Sequence, residues 1–162
     1  MLLFIDTGTW FKLDVLQGRK LFEPARLYEW ATIQITREVE DELIHFGCQS
    51  WIKNKTHIVP VRDEKIYKDA IESGFDPADA SILSLGVKDN FESFIISEDR
   101  PLLDYARMVG FVAGLLVDFF RVCDAMDWMT HRELYQVAKA LYQLTNISKK
   151  KYKGILAWRV QH

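Results

Sequence analysis

Continuous apolar runs, rather than alternating apolar and polar residues, mark the candidate strands of this chain. The first run spans residues 2–5, and similar runs follow at 57–61, 93–97 and 111–114. Such runs are typical of strands that are buried on both faces of a parallel sheet. Pro60 places its run at an edge of the sheet or at a strand end, because proline cannot donate to the hydrogen-bond ladder.

Helical signals lie between and after these runs. Thr36, Asp76 and Thr130 are suitable N-cap residues, and Pro77 and Pro101 stand where a first helical turn accepts proline. Apolar residues three and four positions apart then continue the helices. The predicted helices cover residues 37–46, 77–86, 102–109 and 132–144.

The alternation of strands and helices predicts an α/β fold. We expect a three-layer α/β/α sandwich with a mainly parallel central sheet. The length of 162 residues fits a single domain, 1–162, because one hydrophobic core usually serves a chain of this size. Within that domain, residues 115–162 are expected to form a mostly helical C-terminal part.

Composition and charge narrow the function classes. The formal net charge of −2 gives no overall basic surface for nucleic acid, so any polyanion must be bound locally. The cysteines, Cys48 and Cys123, lack CxxC spacing and favour a reducing compartment over a zinc site or a disulfide. No apolar run approaches the roughly 20 residues of a membrane span, and Asp6 interrupts the apolar start too early for a signal peptide. We therefore expect a cytoplasmic protein without a membrane partner.

Four acidic residues lie where the pattern predicts apolar side chains or the end of a strand. Asp6 directly follows the first strand, and Asp99 follows the strand at 93–97. Active sites of parallel sheets lie at the carboxyl ends of the strands, so both acids are expected at the same edge. Glu42 and Asp79 fall on or beside the apolar stripes of the first two predicted helices.

Inward-facing carboxylates are costly unless a cation, hydrogen bonds or a raised pKa compensates their charge. No Arg or Lys accompanies all four acids at a fixed offset. A divalent ion such as Mg²⁺ or Mn²⁺ would relieve their repulsion, because these ions prefer oxygen ligands. Such a site suits hydrolysis of a phosphodiester.

Each acid also has a simpler structural explanation. Asp79 stands third in its helix, where the helix dipole favours a carboxylate. Glu42 belongs to an acid-rich run that is typical of a solvent-facing surface, and Asp99 can cap the following helix. For Asp6 the only structural alternative is a turn after the strand. A metal site therefore requires all four acids to meet.

The order and separation of four segments resemble a PIN domain, a compact α/β nuclease fold, over about residues 2–144. LFIDTGTWFKL resembles the first strand of that family with its acid at Asp6, and ITREVEDELIHFG resembles the helix that carries the glutamate at Glu42. DPADASILSLGVKDN resembles the segment that carries Asp79. FIISEDRPLLDYARMVGFVAGLL resembles the segment that carries Asp99.

This resemblance implies an endoribonuclease that depends on Mg²⁺ or Mn²⁺ and hydrolyses RNA through a metal-activated water, with the four acids as catalytic residues and metal ligands. The sequence departs from the family at Gly8, which is commonly Asn or Ser, and at Ser97, which is commonly Thr. Other acids that compete for the ligand positions are Glu38, Glu98 and Asp104.

An acidic site needs nearby cations to hold RNA. The candidates are Lys12, Arg37, Arg100 and Arg107, with the lysine-rich run at 149–153 as a remote one. The resemblance also implies a homodimer. Both a toxin with an antitoxin partner and a housekeeping ribonuclease fit the pattern.

Two other classes of function compete with this interpretation. Phosphatases of the haloacid dehalogenase type need a second aspartate two residues after the first, and Gly8 stands there instead; nucleotide-binding GxxxxGK and GxGxxG motifs are absent. A catalytically inactive PIN-fold module for protein interaction or RNA binding is the stronger alternative, since five Trp and ten Phe suit an interface. Against it, an inactive protein gains nothing by keeping four mutually repelling charges.

Overall fold

A computed structural model describes residues 1–48, 55–88 and 92–158 of the chain. In these residues five strands form one sheet. The strands are β1 Leu2–Ile5, β2 Thr32–Ile35, β3 His57–Ile58, β4 Ser93–Ile96 and β5 Ala113–Gly114. Their order is β3-β2-β1-β4-β5, and all neighbouring strands pair in parallel. The predicted α/β class with a parallel sheet is confirmed.

Nine α-helices and one 3₁₀ turn, Pro24–Arg26, connect and follow the strands within the described ranges. None of these helices is long and apolar enough to cross a membrane. The helices are α1 Thr7–Gly18, α2 Leu27–Trp30, α3 Arg37–His45, α4 Glu64–Glu72, α5 Pro77–Leu85, α6 Arg100–Met108, α7 Leu116–Ala125, α8 His131–Gln143 and α9 Lys149–Leu156.

The four predicted strands and four predicted helices are present, with small shifts at their ends. The helix predicted over 102–109 begins two residues earlier, because Asp99 accepts the backbone N–H of Leu102 and caps it. The strand predicted over 57–61 stops at Ile58, before Pro60, and lies at the edge of the sheet as expected. Sequence patterns did not predict β2, α1, α2 or α4.

The central position of β1 decides where a site can form. Its residues Leu3, Phe4 and Ile5 are fully buried, as the continuous apolar run predicted. From β1 the chain builds β2 on one side of the sheet and later β4 on the other, so the strand order reverses between β1 and β4. Ligands of open α/β sheets bind outside the carboxyl ends of the strands at such a switch point.

Candidate metal centre

Asp6 joins the end of β1 to the start of α1, and its side chain is almost fully buried. Its Oδ1 accepts the backbone N–H of Thr9 at 2.7 Å, which makes Asp6 the N-cap of α1. Its Oδ2 accepts the hydroxyl of Ser97 at 2.5 Å and the backbone N–H of Glu98 at 3.3 Å. The structural alternative for Asp6, a turn after the strand, is therefore wrong: the capped chain enters a helix at once, at Thr7.

Burial raises the pKa of the Asp6 carboxyl, and the hydrogen bonds from Ser97, Thr9 and Glu98 oppose that rise. The two effects have different origins. Removal from water penalises the charged form, whereas donated hydrogen bonds stabilise it. Asp6 is thus a buried acid that is already oriented by its donors.

Ser97 connects the ends of the two central strands. Its hydroxyl donates to Asp6, and its Oγ also accepts the backbone N–H of Asp99 at 2.9 Å. Ser97 itself is fully buried. A single hydroxyl therefore fixes the distance between the first acid and the segment that carries the last one. Asp99 is exposed and caps α6 through Leu102, so its structural role as a cap is real.

Glu42 approaches the same strand ends from α3. It is half-buried, and its Oε2 accepts the hydroxyl of Thr7 at 2.5 Å. Thr7 is the first residue of α1, directly after Asp6. The solvent-facing position suggested for Glu42 therefore applies to its neighbour Asp41, which is exposed. It does not apply to Glu42 itself.

Asp79 is the third residue of α5 and lies among the other acids. Its backbone N–H donates to the Asp76 carboxylate at 2.9 Å, as the predicted Asp-Pro helix start requires. The pKa of the Asp79 carboxyl is raised to about 7, first by burial, then by the charge of Asp76, and then by the charges of Asp6, Asp99 and Glu42. All three other candidate ligands thus act electrostatically on this one side chain.

The donor set fits a hard divalent cation. It consists of carboxylate oxygens whose mutual repulsion a divalent charge would relieve, and Mg²⁺ and Mn²⁺ prefer such ligands. The side chains do not form a ready cage, since no three His, Cys, Asp or Glu residues of the described ranges converge as a metal-binding group. The assignment of Asp6, Glu42, Asp79 and Asp99 as ligands stays a prediction.

Two of the three competing acids, Glu98 and Asp104, have other partners. Both oxygens of Glu98 are engaged: one accepts the backbone N–H of Leu116 at 3.0 Å, and the other accepts the side-chain amide of Asn146. Burial raises the pKa of Glu98 to about 7, and the charge of Asp6 adds to that rise. Asp104 is exposed and pairs with Arg107, at 3.6 Å. Glu38 lies one turn before Glu42 on α3.

The four predicted RNA-binding cations differ in how they are engaged. Arg37 pairs with Glu40 at 2.5 Å on the surface of α3. Arg107 donates to the carbonyl of Ala113 at 3.1 and 3.2 Å. The charge of Lys12 opposes the rise in the pKa of Glu98. Lys12 therefore lies close enough to Glu98, beside the candidate centre, to act on it electrostatically. In the part of the chain that the structure describes, the Arg100 side chain has neither a hydrogen bond nor an ion pair.

Comparison with protein families, curated proteins and solved structures gave no match. The function of the centre is therefore inferred from its own residues and their geometry.

Sequence reasoning missed Thr7 as a residue of the site and gave Ser97 only a weak role. The contact between Thr7 and Glu42 spans 35 residues, and that between Ser97 and Asp6 spans 91. The available local signals were Thr7, directly after Asp6, and Ser97, two residues before Asp99. Glu98 was treated only as a replacement ligand, although its hydrogen bonds point it toward α7.

Substitution by alanine should have opposite effects on stability at Gly8 and at Gly86. A Cβ at Gly8 would lie 3.7 Å from the nearer oxygen of Asp6, an ordinary contact, whereas a Cβ at Gly86 would lie 2.3 Å from the ring of Phe111. Gly8→Ala should raise the free energy of unfolding by about 0.5–1 kcal/mol through reduced chain entropy. Gly86→Ala should lower it by about 1–3 kcal/mol through overpacking. Urea unfolding in EDTA measures both, and a Gly8→Ala protein less stable than wild type would contradict the described start of α1.

Proposed function

We propose that this protein is a PIN-like endoribonuclease that requires Mg²⁺ or Mn²⁺ and hydrolyses RNA phosphodiester bonds. One observation carries the proposal: hydrogen bonds through Ser97 and Thr7 join the segments of Asp6, Asp99 and Glu42 at the carboxyl ends of β1 and β4, and the charges of these acids contribute to the raised pKa of Asp79. Isolated caps or surface acids on separate elements would have no reason to gather at the switch point of a sheet. The strand order and the α/β class support the three-layer sandwich that the resemblance implies.

The residues of the chain suit this chemistry in distinct ways. Asp6, Glu42, Asp79 and Asp99 would hold the cation, while Ser97 and Thr7 orient Asp6 and Glu42. When bound, a divalent ion lowers the pKa of water and offsets negative charge on phosphate oxygens. Because Asp79 has a pKa of about 7, it retains a proton for part of the time at neutral pH and must release it when the ion binds.

The partners of such an enzyme follow from the same proposal. RNA is the substrate, and the exposed cations Arg37, Arg100 and Arg107 suit its backbone. A homodimer and an antitoxin partner belong to the proposal as consequences of the PIN resemblance, and a cytoplasmic location belongs to it because the cysteines favour a reducing compartment. A small reading frame that encodes an antitoxin-like protein beside this gene would favour the toxin over a housekeeping ribonuclease.

The test is cleavage of a mixed single-stranded and structured RNA. We expect cleavage with Mn²⁺ or Mg²⁺, no cleavage in EDTA, and recovery of cleavage when excess Mn²⁺ is added back. Without a divalent ion, the negative charge of the four acids repels the RNA backbone. Product ends resolved on a denaturing gel separate internal cutting from trimming. Cleavage that persists in EDTA would exclude the metal-dependent mechanism, and absence of cleavage with RNA binding intact would favour the non-enzymatic module.

A further inference from the structure

A basic cavity lies beside the candidate centre, between α6 and the start of α9. Its volume is about 210 Å³. The residues that line it are Arg100, Leu103, Asp104, Arg107, Leu115, Ile147, Ser148 and Lys151. We call it the α6–α9 cavity. Its lining residue Arg100 directly follows Asp99 in the sequence, at the start of α6.

The spacing along α6 puts both arginines on one side of the cavity. Arg100 and Arg107 are seven residues apart, which brings them to the same face of a helix. Arg107 is partly held by the carbonyl of Ala113 and by the exposed Asp104. The Arg100 guanidinium makes no hydrogen bond or ion pair with any described residue, so its five N–H donors remain available.

The opposite wall brings a third cation and the start of a helix. Lys151 pairs with Asp118 at 2.5 Å, which fixes its ammonium group near the cavity. Ser148 caps α9 by accepting the N–H of Lys151 at 3.2 Å, and the helix begins with three lysines at 149–151. A helix start adds partial positive charge and free N–H groups to the two guanidinium groups across the cavity. Asp104 is the single acid in the lining.

We propose that the α6–α9 cavity binds a phosphate group of RNA and so positions the chain across the candidate centre. The claim rests on the proposed function only for the identity of the ligand as RNA. Guanidinium groups bind phosphate through paired hydrogen bonds, which suits two arginines that face one small cavity. The acidic centre repels RNA, and a cationic cavity next to Asp99 supplies the attraction that the centre lacks.

Either a terminal phosphate or an internal phosphodiester can provide this group. The two sources differ in charge and in position along the RNA, so matched oligonucleotides distinguish them. A terminal-phosphate site gives preference for 5′-phosphorylated over 5′-hydroxyl RNA of one sequence. An internal site binds both equally.

Binding is measured by fluorescence anisotropy in EDTA with 3′-labelled RNA, so that no cleavage intervenes. Arg100→Gln should weaken binding roughly tenfold and reduce the slope of log affinity against log salt by about 1. Lys151→Gln should act in the same direction. Lys139→Gln is the matched control, because Lys139 is an exposed lysine of α8 outside the cavity lining. Circular dichroism checks that each variant is folded.

Inorganic phosphate and an acidic peptide then serve as competitors. Displacement of RNA by phosphate, lost in Arg100→Gln, supports the proposal; equal displacement by poly-glutamate overturns a phosphate-specific site. Binding by Arg100→Gln and Lys151→Gln that equals that of Lys139→Gln also overturns it, as does wild-type protein that binds no RNA. If RNA binds through the cavity but is never cleaved, the ribonuclease proposal fails and this one stands. If Mn²⁺-dependent cleavage occurs without any contribution from the cavity, the cavity proposal fails and the ribonuclease proposal stands.

Discussion

Asp6→Asn should reduce Mn²⁺-dependent cleavage of RNA by about 10²–10³-fold while the protein stays folded, since groups that stabilise developing charge contribute on this order. Asn is as good an N-cap as Asp, and its carbonyl oxygen can still accept the N–H of Thr9. The substitution removes the negative charge that a divalent ion needs, and it also places an NH2 group where Oδ2 accepts from Ser97 and Glu98. Initial rates at saturating Mn²⁺, with urea unfolding of the same preparations, separate catalysis from folding.

Asp63→Asn is the matched control for this experiment. Asp63 is also an Asp N-cap, at the start of α4, and it is exposed and not among the acids that act on Asp79. We expect it to cleave RNA at the wild-type rate. Equal rates in Asp6→Asn and wild type would remove the catalytic assignment of Asp6.

Asp79→Asn should change how stability depends on pH in the metal-free protein. The pKa of Asp79 is about 7 in the folded state against an ordinary value of 3.8, so the folded state binds this proton more tightly than the unfolded state does. The free energy of unfolding must therefore fall as pH rises from about 4 to about 7. One group contributes at most about 1.4 kcal/mol per pH unit, and the partial exposure of Asp79 reduces that slope.

Removal of this carboxyl should flatten the fall and leave the metal-free protein as stable as wild type or more stable at pH 7.5. Part of the slope should remain, because Glu98 also has a pKa raised to about 7. Urea unfolding in EDTA at pH 5 and pH 7.5 measures the difference, with the exposed Asp41→Asn as control. A clear loss of stability at pH 7.5 would instead show that Asp79 serves mainly at the start of α5.

Addition of Mn²⁺ should reverse the order of the two proteins. A ligand that binds only the folded state at 100 times its dissociation constant adds about 2.7 kcal/mol of stability. Wild type should gain this stabilisation at pH 7.5, and Asp79→Asn should gain less. Equal gains would remove Asp79 from the ligand set while leaving the other three acids in place.

Local signals predicted those parts of the fold that local physics determines. The continuous run of β1, the Asp76-Pro77 start of α5 and the capping box of Thr130 and Glu133 were each sufficient. The strand β2 was missed although Thr32, Ile33, Gln34 and Ile35 alternate between more exposed and buried positions, because four residues give a weak period. The helix α1 was missed because Thr7-Gly8-Thr9 is typical of a turn until Asp6 caps it.

The acids of the site were named from sequence, but their environment was not. Whether Asp6 is buried, and whether its donors come from β4, depends on strand order, which no local pattern encodes. The hydroxyls of Thr7 and Ser97 acquire meaning only when segments far apart in the chain meet. The pKa of Asp79 likewise depends on three elements that converge on α5.

The hydrogen bonds of Glu98 connect the C-terminal helices to the candidate centre. Glu98 directly precedes Asp99 and donates its backbone N–H to Asp6, while its side-chain oxygens accept from Leu116 at the start of α7 and from Asn146, 48 residues later. A change in how α8 and α9 pack would therefore reach the carboxylates through a single side chain. A partner that binds α8 and α9 would then also act on the hydrogen bond that Glu98 donates to Asp6.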